Sequence, residues 1–536
     1  MKKFITIVCL SIIQSLSAQS FTRKDSLQGG LRHERNCFDV THYTIDLKID
    51  IKNKFISGFN EIDFEITDET QKIQIDLFEN LVVDSIIWNK QKLIFSRDNN
   101  AVFINFPEKL QAKNPEKIKF FYHGNPVLAR RAPWDGGFVF RKDINGNDWV
   151  GVACQDFGAS CWLPLKDSQS DEPNNGVTMR IAVPDGLTNV SNGRFIGKEN
   201  LNNGYTRWDW EVKNPINTYD ITINIGDYVH FSDKLDDLDI DYYVLSYHRD
   251  KAEKQFADDV KPMLKCFQEK FGEYPFKEDG YKLVETSYLG MEHQSAIAYG
   301  NLFLKGYMGT DLSKTGVGKL WDYIIVHESG HEWFGNSITS KDIADMWIHE
   351  GFTQYSEIVY IECNWGYDKA MIYANGLRGN VANDEPIIGP YGVNKEGSGD
   401  MYPKGALLLN TLRHVINNDS LWWKIIHDYA TTFRHKIIDT QTVIDFFNQK
   451  SGMDLTSIFN QYLKTISIPK LELKIEKNKL FTRWVNVESN FSMPVDLIYN
   501  NKTIRVQTIN DWKKTKIKIK SISDIKVITD KFYIEY

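Results

Sequence analysis

Two histidines four residues apart, with a glutamate directly after the first, stand in the second half of the 536-residue chain as His327-Glu328-Ser-Gly-His331. On a helix this spacing turns both imidazoles the same way, one turn apart, so that they can share one Zn2+. Trp321, Ile324 and Ile325 just before them suit a buried helix. Glu328 is rotated toward water activated by such a metal, where a carboxylate can take a proton and later hand it to a leaving group. A catalytic zinc takes three protein ligands and leaves one position open. Glu350, 19 residues past His331 and near the start of the next helical pattern, is the expected third ligand. That distance lets one helix end near Gly335-Asn336, turn, and bring a second alongside. Two histidines and an acid can fall at this spacing by accident; the added carboxylate on a second helix favours zinc.

The elements that must position these residues follow from periodicity. From Cys37 to Phe231 the chain reads as strands: HYTIDLKIDI, NEIDFEI, KIQIDLF, KIKFFYH, GVTMRIAV and YDITINIG alternate or run β-branched between Gly, Asn and Asp. After a further strand region, IDYYVLSYH, the apolar residues of DKAEKQFADDVKPMLKCFQEKF recur at three and four. A helix-rich stretch follows to about Thr465. Past Pro469 strands return in LELKIEK, FSMPVDLIY, TIRVQTI and TKIKIKSI. The run KKTKIKIK alternates lysine with apolar residues and reads as a solvated edge strand. The expected organisation is multidomain α+β: a signal peptide over 1–18, an all-β domain over 30–235, a mixed α/β catalytic domain over 236–468, and a small β-sandwich-like domain over 469–536.

Composition bounds the class. With 42% hydrophobic and 25% charged residues the chain is an ordinary globular protein. A net charge of −7 without a Lys/Arg stripe argues against nucleic acid as a partner. The start, MKKFITIVCLSIIQSLSAQS, has the charged, apolar and small-residue regions of a secretory signal, and its apolar run is too short for a permanent span. Export to the periplasm or the extracellular space, without a stable membrane anchor, is expected. Five of the six cysteines remain after such cleavage, none in a C-x-x-C. They are expected to be free buried thiols, with Cys154–Cys161 the local pair that could bridge. Oligomeric state is not readable from these residues.

The residues from His327 to Asn336, with eighteen residues between His331 and Glu350, resemble the M1 family of zinc aminopeptidases. Asp345-Met-Trp-Ile-His-Glu-Gly-Phe352 is similar to that family's third-ligand segment, with His349 where Asn is usual. The resemblance implies a thermolysin-like catalytic domain holding one zinc on His327, His331 and Glu350, with Glu328 as general base. Leu289-Gly-Met-Glu-His293 resembles the family's Gly-x-Met-Glu-Asn exopeptidase motif, with Leu and His at its two ends. It implies Glu292 as the anchor of the substrate's α-amine and Gly290-Met291 as a strand edge beside the substrate. Tyr402-Pro-Lys-Gly-Ala406 resembles Tyr-x-Lys-Gly-Ala and implies Tyr402 as the oxyanion donor. Cys154-Gln155-Asp-Phe-Gly-Ala-Ser-Cys-Trp-Leu-Pro164 is similar to the family's β-domain segment, without its usual arginine, and implies Gln155 as a substrate contact.

The expected activity is removal of the N-terminal residue from peptides with a free amine. A fixed carboxylate close to the zinc pairs with an ammonium and leaves room for one residue before the scissile bond. An endopeptidase of thermolysin type uses the same helix pair but gives Glu292 no task. The epoxide hydrolase chemistry carried by one branch of the family has no specific support in these residues. A non-catalytic interaction scaffold is opposed by the intact Glu328 and ligand set. The large C-terminal helical domain of many members is not expected after Pro469, which would open the cleft to a wider range of peptide lengths.

Overall fold

Alternation builds the first unit of the computed structural model, which describes residues 21–155 and 157–536. The expected signal segment lies outside these residues. In strand Phe38–Asp50, Tyr43, Ile45, Leu47 and Ile49 are buried while Lys48 is exposed. This strand is central to an eight-stranded sheet, antiparallel to Phe55–Ile66 and parallel to Val177–Pro184. A four-stranded sheet of Gly137–Lys142, Asp148–Ala153, Thr188–Ser191 and Ile223–Gly226 adds to the same apolar core. The N-terminal all-β unit is therefore as expected.

Strand pairing ends this unit earlier than residue 235. Strand β1 (Tyr228–Leu235) forms a hairpin with β2 (Leu238–Leu245), closed by Asp236 at φ +54°. Both belong to the five-stranded sheet of the next unit, with β3 (Tyr281–Glu285), β4 (Gly290–Met291) and β5 (Ile297–Tyr299), in the order β1-β2-β3-β5-β4. Alternation marks a strand but not the sheet it joins, so the change of period at 236 set the expected boundary one strand late.

Four helices frame the centre of this unit. Helix α1 (Arg249–Phe271) buries Phe256, Val260, Met263, Leu264, Phe267 and Phe271 at helical spacing. In α2 (Tyr323–Gly330) all eight residues are buried, and Asp322 caps its start by accepting from the amides of Ile324 and Ile325. The α-helix stops at Gly330, not near Gly335-Asn336. The chain widens into a turn over Glu332–Asn336, where Phe334 and Gly335 leave helical angles. Helix α3 (Trp347–Trp365) then lies alongside α2, and α4 (Pro403–Ile416) crosses α3. A Cβ on Gly405 would sit 2.8 Å from the Gly351 Cα, so glycine is what permits that crossing.

The C-terminal unit has two three-stranded sheets. Leu480 and Trp484 of one and Met493, Val495 and Leu497 of the other extend the core of the helical unit. Lys513–Lys518 lies at a sheet edge, as its lysine alternation implies. Arg505 donates to the carbonyls of His414 (2.6 Å) and Val415 (3.1 Å), tying this unit to the end of α4. Among the described residues no helix is long and apolar enough to cross a membrane.

The cysteines depart from expectation at one pair. Cys37, Cys154 and Cys161 are free and buried, whereas Cys266 on α1 is bonded to Cys363 on α3. Their separation of 97 residues hides the pairing from sequence; only the packing of α1 on α3 brings them together. A bridge closing so long a loop restricts the unfolded chain, so Cys266→Ser/Cys363→Ser should lose about 2–4 kcal/mol of stability. Denaturant titration of the oxidised protein and the variant checks this; coincident midpoints would contradict it.

Candidate active site

Helix α2, the residue that caps its end and helix α3 bring three side chains to one point. His331 Nε2 lies 3.2 Å and His327 Nε2 3.7 Å from Glu350 Oε2. Ligand atoms of the three residues all fall within 4.8 Å of one another. The far nitrogens are held from behind: His327 Nδ1 lies 2.7 Å from Glu357 Oε1, and His331 Nδ1 lies 3.0 Å from the Phe334 carbonyl. Those acceptors keep the ring protons on Nδ1 and leave both Nε2 lone pairs facing the carboxylate. Glu350 Oε2 is buried and has no hydrogen-bond partner among the described residues. Burial pushes this carboxyl up in pKa, but His331 and the contacts with both rings hold it well below the usual range. Two imidazole nitrogens and a carboxylate that converge without a donor between them fit a zinc ion.

The wide turn after α2 is part of this geometry. By leaving the helical path it folds the Phe334 carbonyl back beneath the His331 ring, where Thr353 of α3 also lies, its Oγ1 3.1 Å from Nδ1. Glu357, two helical turns beyond Glu350, takes further bonds from Tyr373 (2.6 Å) and Gln354 (3.1 Å). Sequence reading missed it, although its seven-residue offset from Glu350 put it on the same helix face.

Glu328 and Glu292 complete a second convergent set with His331, again with all ligand atoms within 4.8 Å. Burial raises Glu328, against the opposing pull of His327, to about 7. Edge strand β4 pairs Gly290 with Tyr299 and Met291 with Ala298, and delivers Glu292 at its end. A Cβ on Gly290 would meet Glu328 Oε1 at 2.8 Å, so this strand approaches α2 as closely as it does only through glycine. The Glu292 carbonyl accepts from Asn336 Nδ2 at 2.8 Å, and its carboxylate from the Tyr219 hydroxyl at 3.2 Å.

Tyr402 stands at the start of α4 with its ring nearly parallel to that of His327, the centroids 6.0 Å apart. Burial, then the charges of Glu350 and Glu292, raises its hydroxyl well above the usual tyrosine range, so it remains a proton-bearing donor. Gln155 reaches across from the β unit and donates to Glu350 Oε1 at 3.0 Å. All nine residues expected at the site line one cavity of about 300 Å³, with Trp134, Tyr307 and Glu396 as further lining that sequence reading did not name. The Leu289 side of the irregular Leu-Gly-Met-Glu-His faces this cavity. His293 does not: it is fully buried, belongs to neither convergent set, and burial lowers its pKa to about 3.

Comparison with known proteins gives the family and the fold. Residues 40–219 match the peptidase M1 N-terminal domain and residues 256–462 the peptidase family M1 domain. The chain is 24% identical over 330 residues to the alanine/arginine aminopeptidase of Saccharomyces cerevisiae, covering 58% of this chain and 37% of that one. It is 20% identical over 513 residues to the leucyl aminopeptidase of Saccharolobus solfataricus, covering 91% and 62%. The chain thus spans about half the length of these curated relatives. The crystal structure of an M1 zinc metallopeptidase from Deinococcus radiodurans shares the fold, with a TM-score of 0.67 at 20% identity over 82% of this chain and 96% of that one. Two domain matches in the family's order, over a β unit and a helical unit that meet at a His-His-Glu centre, show that the chain belongs to peptidase family M1.

Proposed function

We propose that this protein is a zinc aminopeptidase acting on peptides with a free N-terminus. The observation that carries the reading is the buried Glu292 carboxylate, within 4.8 Å of ligand atoms of both Glu328 and His331. An ammonium paired with Glu292 sits so near the ligand centre that only one residue fits before the reacting carbonyl.

His327, His331 and Glu350 would hold the zinc, which supplies a Lewis acid that acidifies water and polarises the scissile carbonyl. Glu328 takes the proton of the attacking water on its carboxylate and returns it to the leaving amine. The Tyr402 hydroxyl donates to the oxyanion that develops on the carbonyl. Glu292 fixes the α-ammonium and with it the register of the substrate. Gln155 orients Glu350 and faces the same cavity, and the Gly290-Met291 edge lies along it. A single zinc per chain is the reading supported by His331 being common to both convergent sets.

A panel of aminoacyl-arylamides, run with and without a chelator and beside N-acetylated peptides, tests the activity. Turnover of the free-amine reporters, abolished by chelation and absent from the blocked peptides, is expected; cleavage of blocked peptides would mark an endopeptidase instead. In the same assay Glu328→Gln should keep its zinc and lose at least about 100-fold in kcat. Glu357→Ala should weaken zinc binding about 10–100-fold, read by competition with a chromogenic chelator, because His327 loses the group that orients its ring.

Export is part of the proposal. It is supported by the charged, apolar and small-residue order of the first eighteen residues and by the Cys266–Cys363 bridge, a feature of oxidising compartments. Fractionated cells should yield a chain outside the cytoplasm whose N-terminal sequence starts at about residue 19. A chain retaining Met1 and confined to the cytoplasm would refute it.

A further inference from the structure

We propose that Tyr219 and His349 are a positioning pair that aims the Glu292 carboxylate at the substrate's α-amine. The inference rests on the reading of Glu292 as the amine anchor. Glu292 leaves a strand of two residues, and its main chain is fixed by the bond from Asn336 to its carbonyl. That bond does nothing for the side chain, whose torsions could swing the carboxylate away from the cavity. Among the described residues, Tyr219 is the one side chain that donates to that carboxylate.

The direction of the Tyr219 hydroxyl is set in turn by His349. The Ser340 amide donates to His349 Nε2 at 2.8 Å, which leaves the ring proton on Nδ1. Nδ1 faces the Tyr219 oxygen at 3.4 Å, so the hydroxyl accepts there and its own proton is turned toward Glu292 Oε1 at 3.2 Å. Both rings are buried, at 3% exposure for Tyr219 and 0% for His349, which leaves water little part in the chain. The hydroxyl-to-carboxylate distance of 3.2 Å exceeds the ~2.8 Å of a tight O–H···O bond. The pair therefore orients the carboxylate without saturating it, and its charge is left for an ammonium.

Three segments meet in this relay. Tyr219 lies on the short turn Thr218–Asp220 of the β unit, Glu292 follows β4, and His349 precedes Glu350 on α3. One turn of α3 thus faces the ligand centre with Glu350 and the amine anchor with His349. A histidine suits this position because its two ring nitrogens serve Ser340 on one side and Tyr219 on the other.

The test measures kcat, KM and zinc content of the zinc-loaded enzyme on a free-amine aminoacyl-arylamide. Tyr219→Phe should raise KM about 10-fold with kcat within about 3-fold and zinc unchanged, the signature of weakened ground-state pairing. His349→Leu should do the same. His349→Asn, which keeps an N–H near the Nδ1 position, should stay within about 3-fold of the parent. In a Glu292→Ala background, Tyr219→Phe should add less than about 2-fold, because the group it acts through is gone. A normal KM for Tyr219→Phe beside a raised KM for Glu292→Ala would overturn the pair and leave the anchor standing. An undiminished further loss from Tyr219→Phe in the Glu292→Ala background would overturn it equally. An unchanged KM for Glu292→Ala alone would instead refute the anchor, and the pair with it. Tyr219→Phe carries the test alone should His349→Leu lose zinc.

Discussion

A carboxylate oxygen buried between two imidazoles, with no donor of its own, is the constraint around which the centre of this protein is built. An uncompensated charge in such a place costs several kcal/mol unless a cation or a set of oriented donors stands against it. Glu350 Oε2 has the two Nε2 atoms facing it, and each ring is backed by a group that turns its proton the other way. The backing groups are not spare parts of the fold. Glu357 and Thr353 lie on the same helix as Glu350, and the Phe334 carbonyl arrives through a turn that abandons helical geometry to reach His331. Helix α3 therefore carries the carboxylate of the His-His-Glu set together with supports for both of its imidazoles.

That centre needs helices and strand closer together than ordinary side chains allow. Gly405 lets α4 cross α3 with almost no gap, which puts Tyr402 at the edge of the cavity beside His327. Gly290 lets the edge strand lie against α2 within contact of Glu328. The C-terminal unit supports the first of these crossings, since Arg505 binds the last carbonyls of α4 and the apolar core continues through both units. A small terminal unit of this kind thus bears on the site through the helix it holds.

The cleft lies between two units and uses both. Gln155 and Tyr219 come from the β unit and bond to Glu350 and Glu292, one acid from each of the two convergent sets. His349, directly before Glu350, sits behind Tyr219 instead of facing the cavity. The two unusual histidines of the sequence consequently differ in kind. His349 is hydrogen-bonded through both ring nitrogens, whereas both nitrogens of His293 are buried without a protein partner among the described residues.

Periodicity by itself made the succession of β, helical and β units legible, and the His-Glu-x-x-His spacing pointed to His327, His331 and Glu350, because each depends on neighbours a few residues away; the other cavity residues, from Gln155 to Tyr402, were legible only through local motifs that resemble the family's. The edge character of Lys513–Lys518 was legible from periodicity as well. What only the tertiary structure decided depends on which surfaces meet. Strand Tyr228–Leu235 alternates like those before it, yet it pairs forward; Cys266 and Cys363 are 97 residues apart, yet two packed helices join them. Tyr219 carries no local sign of function and lies 73 residues from the glutamate it touches. Hydrogen-bond partners distant in sequence leave no periodic trace in the chain, so the contacts of Gln155 and Tyr219 with Glu350 and Glu292 became visible only when the units were packed together.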